Sequence, residues 1–172
     1  LSQLETDPAA AFDAAFGARA GDLQCRPRDP GDAEFLIDCA IACSPMKGLL
    51  PDAMLAQQAE LQRAAHDGAH PDAMHRTVTR DGAPIGHILV AWTVAGTHLV
   101  DIAVLPEHRG IGAGGHLLAA WLAVADAHGL TATLEVQAGN PARQIYERLG
   151  FVETEPDPWA AFADMHRAPV QP

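Results

Sequence analysis

Arg109, Gly110, Gly112, Gly114 and Gly115 fall within the stretch Arg109–Gly115, which follows the apolar run "DIAVLP" and precedes leucines and alanines at helical spacing. A strand that runs through glycines into a helix offers backbone N–H groups with no intrahelical acceptor. They sit at the positive end of the helix dipole, with no Cβ atoms to block close approach. Such a place holds phosphate. Downstream stands Tyr146, the only tyrosine and a phenolic proton donor, in "NPARQIYERLGF". His98, Asp101 and Glu135 are side chains able to take a proton nearby in sequence.

Three phosphate-binding designs share this local pattern. The nucleoside triphosphate loop needs Gly-Lys-Ser/Thr and is excluded, since Lys47 is the only lysine. The dinucleotide fingerprint is spelled by Gly110, Gly112 and Gly115, with Glu135 downstream for a ribose hydroxyl. Against it, "PEHR" separates strand from glycines, the preceding strands read as a meander, and too little chain follows for further parallel units. The third design is R-x-x-G-x-G, formed by Arg109, Gly112 and Gly114 after "IAVLPEH".

With that motif, and with "LEVQAGNPARQIYERLGF" at the right separation, the chain resembles the GNAT superfamily of N-acetyltransferases over Leu23 to about Arg167. The resemblance implies acetyl-CoA as co-substrate, its pyrophosphate held by the backbone of Arg109, Gly110, Ile111, Gly112, Ala113, Gly114 and Gly115. It further implies that "IAV", Ile102, Ala103 and Val104, splays from "LEV", Leu134–Val136, so that pantetheine pairs with exposed strand groups. Tyr146 falls where the family places the general acid that meets the departing sulfur. Asn140 would cap the last helix and touch the cofactor. His98 occupies a strand position where some members carry a Glu or His base. Asp101 and Glu135 are its rivals, and water without a protein base is a further alternative. Simple alternation puts His98, Val100, Ile102 and Val104 on one face of the strand and Asp101 with Ala103 on the other, unless a bulge breaks the register.

The elements that must position these groups follow from pattern. Residues 1–21, with only Phe12 and Phe16 as an apolar stripe, are expected to form a peripheral arm or short docked helix, and 22–172 the domain proper. "LQCR" reads as a strand. "DPGDAEFLIDCAIAC" reads as a helix capped by Asp29 or Asp32, burying Ala33, Leu36, Ile37, Ala40 and Ile41 and ended by Pro45. A second helix fits Pro51 to about His66. The strands "MHRTVTR", "PIGHILVAW" and "HLVDIAVLP" then form an antiparallel meander whose first turn is Asp81-Gly82. A helix to His128, the strand "TATLEVQ", a helix from Asn140-Pro141 to Gly150, and terminal strands in "FVETE" and "AAFADMHR" complete the chain. The expected fold is α/β (α+β), a mixed and mostly antiparallel central sheet flanked by helices.

Composition narrows the partners. The chain has 172 residues, 48% hydrophobic, room for a single core. Its 11 basic against 22 acidic residues, net −11, disfavour nucleic acid. No apolar run approaches the roughly 18 residues of a membrane span, and no basic-then-apolar leader is evident, so a soluble, cytoplasmic protein is expected. Cys39 and Cys43 read as small buried residues and not as a disulfide framework. His66 and His70 are spaced for a metal, but Gly68 and Pro71 break the helix between and after them, so exposed loop histidines and no metal are expected. These readings combine into an N-acetyltransferase acting on a primary amine of a small molecule or protein, with a homodimer left open. A non-catalytic acyl-CoA-binding module and an NAD-binding oxidoreductase are the alternatives.

Overall fold

The computed structural model describes residues 7–157 and 159–170. Helix α1 (Pro8–Gly17) leads into strand β1 (Leu23–Pro27), and a 3-10 turn at Pro30–Asp32 leads into α2 (Ala33–Cys43). The chain continues through α3 (Asp52–Ala69), β2 (Met74–Arg80), β3 (Ala83–Trp92) and β4 (Gly96–Val104). Then come α4 (Ala113–Ala127), β5 (Thr131–Gln137), α5 (Arg143–Arg148), β6 (Val152–Glu153) and β7 (Phe162–Arg167). The seven strands form one sheet in the order β1-β2-β3-β4-β5-β7-β6. Every neighbouring pair is antiparallel except β4 with β5. One parallel pair is too few for a dinucleotide-binding fold built of successive parallel units.

Local chemistry explains most boundaries. Asp81 and Gly82 both take positive φ, 52° and 80°, the backbone of a tight hairpin turn between β2 and β3. Asp29 caps the turn before α2, its Oδ1 accepting from Gly31 N–H, while Asp32 Oδ2 accepts from Asp29 N–H. Asp32 also accepts two 2.7 Å bonds from Arg26 and one from Thr77, which ties the start of α2 to β1 and β2. The Arg26 bonds chiefly hold this carboxyl below the usual carboxylate range.

Two sequence expectations change. Residues 8–17 form the docked helix of the two expected forms, but not a peripheral one: α1 packs on α4 and buries Phe12 and Phe16 at 0% and 1% exposure within the main core. Two phenyl rings leaving water contribute about 1.5–3 kcal/mol each, enough to anchor a ten-residue helix. Helix α3 runs through Gly68 to Ala69, so His66 lies in its last turn and not in a loop. Residues 1–6 of the expected arm lie outside the described residues.

The core fills the space between the sheet and α4. Trp121 is fully buried, stacks on Phe151 at 5.7 Å and donates through Nε1 to Thr97 Oγ1. Helix α2 packs on β3 and β4, and α3 packs against α2. Among the described residues, no helix is long and apolar enough to cross a membrane.

Candidate functional site

Between β4 and β5 the sheet opens. Their parallel pairing covers only Gly96↔Thr131 to Leu99↔Leu134, whereas β3 stays paired with β4 as far as Val104. The β5-facing edge of Ile102–Val104 is therefore without a strand partner, as the splay of "IAV" from "LEV" requires. In place of a strand, Val104 C=O accepts from Arg109 Nε at 3.3 Å and from Cys43 Sγ at 3.4 Å.

The same edge runs into the glycine loop. Gly110 and Gly112 take φ of 80° and 90°, in the left-handed region where a Cβ is strained. The backbone turns there so that the first intrahelical bond of α4 is His116 N–H to Gly112 C=O. The N–H groups of Ala113, Gly114 and Gly115 are left without intrahelical acceptors, which suits an anion. Cβ atoms on Gly110 and Gly115 would meet nothing within 4 Å, so the loop is open on that side.

Loop, edge and the start of α5 line one cavity of about 1260 Å³. Its wall includes Ile102, Ala103, Val104, Arg109, Gly110, Gly112, Ala113, Gly114, Gly115, Asn140 and Tyr146. Of the expected residues, Ile111 and His98 are not in that wall. Asn140 Oδ1 accepts from Ala142 N–H at 2.9 Å, capping the turn that enters α5. Tyr146 is buried against Phe151, ring centroids 6.0 Å apart. Burial, and secondarily the Asp101 carboxylate, pushes its phenol up to about 12.

A bulge puts both base candidates of β4 on one face. Leu99 pairs with Val90 and Asp101 with Leu89, so Val100 is the extra residue. Ala91↔His98, Leu89↔Asp101 and His87↔Ala103 then share one face, against the simple alternation expected from sequence. Asp101 enters the cavity wall. His98 instead bonds Thr133 Oγ1 through Nδ1 at 2.9 Å and stacks on His70 at 6.1 Å. Burial, then His70, lowers its basicity. Glu135 is exposed on β5 opposite Asp164.

The acceptor-side wall comes from α2 and α3. Ile37 and Ala40, expected in the core, are half-exposed and face this cavity. Sequence reasoning missed His66, His75 and His87, which line it too. It also missed the contact of Cys43 with Arg109, whose Nη2 lies 3.4 Å from the sulfur. Hydrogen bonding from Cys39, then Arg109, holds the Cys43 thiol below the usual thiol range despite burial. The signal available beforehand was period-2 placement of His87 and Leu89 on one face of β3, which names no partner. Among the described residues, no group of three or more His, Cys, Asp or Glu is placed to hold a metal.

Solved structures share this architecture. A complex of the PaiA N-acetyltransferase from Thermoplasma acidophilum with coenzyme A superposes with a TM-score of 0.66 at 18% identity, covering 85% of this chain and 98% of that one. Ard1 from Thermoplasma volcanium gives 0.63 at 20% identity over 87% and 99% of the two chains. The ribosomal-protein-S18-alanine N-acetyltransferase from Escherichia coli gives 0.62 at 20% identity over 85% and 93%. No curated protein sequence matches the chain. The acetyltransferase (GNAT) domain matches residues 46–165, a span that holds the open strand edge, the glycine loop and Tyr146 alike, and the chain belongs to that family.

Proposed function

We propose that this protein transfers the acetyl group of acetyl-CoA to a primary amine. The observation that carries the reading is the continuity of one surface: the unpaired edge of Ile102–Val104 leads directly to the free N–H groups at the start of α4, and Tyr146 faces the same cavity. A long extended ligand with a pyrophosphate at one end and a thioester at the other fits that path. The coenzyme A in the Thermoplasma acidophilum relative supports the choice.

Acetyl-CoA supplies an activated acyl carbon with a thiolate leaving group. The N–H groups of Ala113, Gly114 and Gly115, with Arg109 beside them, hold the pyrophosphate, and the β4 edge aligns the pantetheine. Asn140 keeps the entry to α5 in place. A neutral amine attacks the thioester carbon, and the carbon–sulfur bond breaks as the carbonyl re-forms. Tyr146 gives its proton to the thiolate, a role for which a phenol held near 12 is fully loaded at neutral pH. For the base, the reading moves from His98 to Asp101, because Asp101 lies in the cavity wall and the His98 imidazole is engaged by Thr133.

The test has two arms. CoA and NAD are compared by thermal shift, with a rise expected for CoA alone. A panel of polyamines, amino acids, aminoglycosides and peptides with free N-termini is then screened with acetyl-CoA by thiol release. A shift with NAD and none with millimolar CoA overturns the reading. CoA binding without turnover on any amine reduces it to a binding module.

A further inference from the structure

We infer that Arg28 and His75, through two hydrogen bonds, set the tautomer of His87 so that its Nε2–H faces the Asp101 carboxylate, making His87 and His75 positioning residues of the site. This rests on the reading of Asp101 as the proton acceptor.

The sheet register brings the groups together. His75 pairs with Leu89, Thr77 with His87, and Leu89 with Asp101, so His75, His87 and Asp101 come from three adjacent strands onto one face. His75 Nε2 lies 3.3 Å from His87 Nδ1, within hydrogen-bond distance, and His87 Nε2 lies 3.7 Å from Asp101 Oδ2, a contact of dipole and charge longer than a hydrogen bond. At the outer end Arg28 Nη1 lies 3.5 Å from His75 Nδ1. A guanidinium only donates. His75 must therefore accept at Nδ1 and carry its proton on Nε2, which donates to His87 Nδ1. His87 in turn carries its proton on Nε2, directed at Asp101. One fixed cation thus sets both tautomers, and the chain ends in an N–H aimed at the carboxylate. The second oxygen of Asp101 is left to the incoming amine.

Both histidines must stay neutral for this to work. His87 is buried, and burial lowers its basicity against the opposing pull of Asp101. Burial, then His87, lowers His75 to about 3. The other groups facing the pair do not reverse this. Arg28 and His66 oppose protonation, Asp32 favours it at His75, and Asp67 is occupied by Arg28 and Arg63. Around Asp101 itself stand Tyr146 from α5 and the Cys39–Cys43 pair from α2. A free imidazole at this place, by contrast, would sample both tautomers and present its bare nitrogen to a carboxylate part of the time.

The direct test is the 15N NMR spectrum of histidine-labelled protein saturated with CoA, the two rings assigned through the backbone. The expected result is the Nε2–H tautomer at both His75 and His87, neutral down to pH 5.5, where an ordinary imidazole is about 90% protonated. An Nδ1–H tautomer at either ring, or a midpoint near the ordinary value, overturns the chain. Kinetics supply the second arm, with the best amine from the acceptor panel. His87→Leu should lower kcat about three- to tenfold, less than a formed hydrogen bond to a charged group would give because the contact is longer, with CoA affinity unchanged. His87→Gln, which keeps an N–H donor, should recover most of that. His75→Leu should lower kcat in the parent but not in His87→Gln, because an amide has no tautomer to set. Equal losses in both backgrounds refute the inference. If Asp101→Asn retains turnover, the base assignment has failed. If Asp101→Asn loses turnover while His87→Leu keeps it, the positioning chain alone has failed.

Discussion

Gly112→Val concentrates the loop argument in one atom. Gly112 sits at φ 90° immediately before α4, and a Cβ built there would lie 3.3 Å from His116 Cε1 and 3.4 Å from Nε2. An L residue in the left-handed region costs roughly 1–2 kcal/mol, and the crowding on His116 adds to it. His116, half-buried with its ring edge-on to Phe16 at 6.5 Å, relieves that crowding by a small shift, and the positive φ remains as the strain on the loop. Relief of the φ strain moves the loop, and the N–H groups of Ala113 and Gly114 turn with it. Losing two hydrogen bonds to a charged phosphate removes about 3–6 kcal/mol of binding, or about 10²- to 10⁴-fold in Kd. Isothermal titration with CoA measures this, and circular dichroism confirms that the variant is folded. Pairing Gly112→Ala with His116→Ala separates the two costs: the double variant should recover the part due to crowding and keep the part due to φ. A folded Gly112→Val protein whose CoA Kd stays within about threefold of the parent would refute the assignment of this loop to the pyrophosphate.

Tyr146→Phe keeps the ring on Phe151 and removes only the hydroxyl, so turnover should fall about 10²- to 10⁴-fold at nearly unchanged CoA affinity, read by thiol release and titration. A general acid must be protonated, and one held near 12 is lost only above that pH, so kcat should show no alkaline decline from this group up to about pH 10. Phe16→Ala empties a fully buried site between α1 and α4 and should cost about 3–5 kcal/mol, lowering the melting midpoint by on the order of 10 °C; a peripheral helix would lose almost nothing. Asp32 and Asp126 are both held below the usual carboxylate range, chiefly by bonds from Arg26 and Arg167. Their contribution to stability is complete above the unfolded carboxylate value near 4 and is lost as pH falls through and below it, so urea midpoints should drop between about pH 4 and pH 2. The Asp32→Asn, Asp126→Asn pair should flatten that drop.

What the sequence determined by itself is what local backbone chemistry controls. Asp81-Gly82 fixes a hairpin because both residues tolerate positive φ, and glycines in R-x-x-G-x-G make an anion site because their missing Cβ atoms and the start of α4 lie within a few residues. "TATLEVQ" reads directly as β5 because alternation and flanking turn residues are short-range signals. The tertiary structure decided the rest. A single bulged residue, Val100, put His98 and Asp101 on one face, and a bulge is set by how β3 and β4 settle against each other; position along the strand then left His98 beside Thr133 of β5 and Asp101 in the cavity wall. The meeting of His75, His87 and Asp101 needed the register of three strands, while Phe12 and Phe16 became core only because α4, about a hundred residues later, supplies the surface they cover. Pairings between distant segments leave no mark on either segment alone: each strand's alternation names a face, and only the packed sheet says what that face will touch.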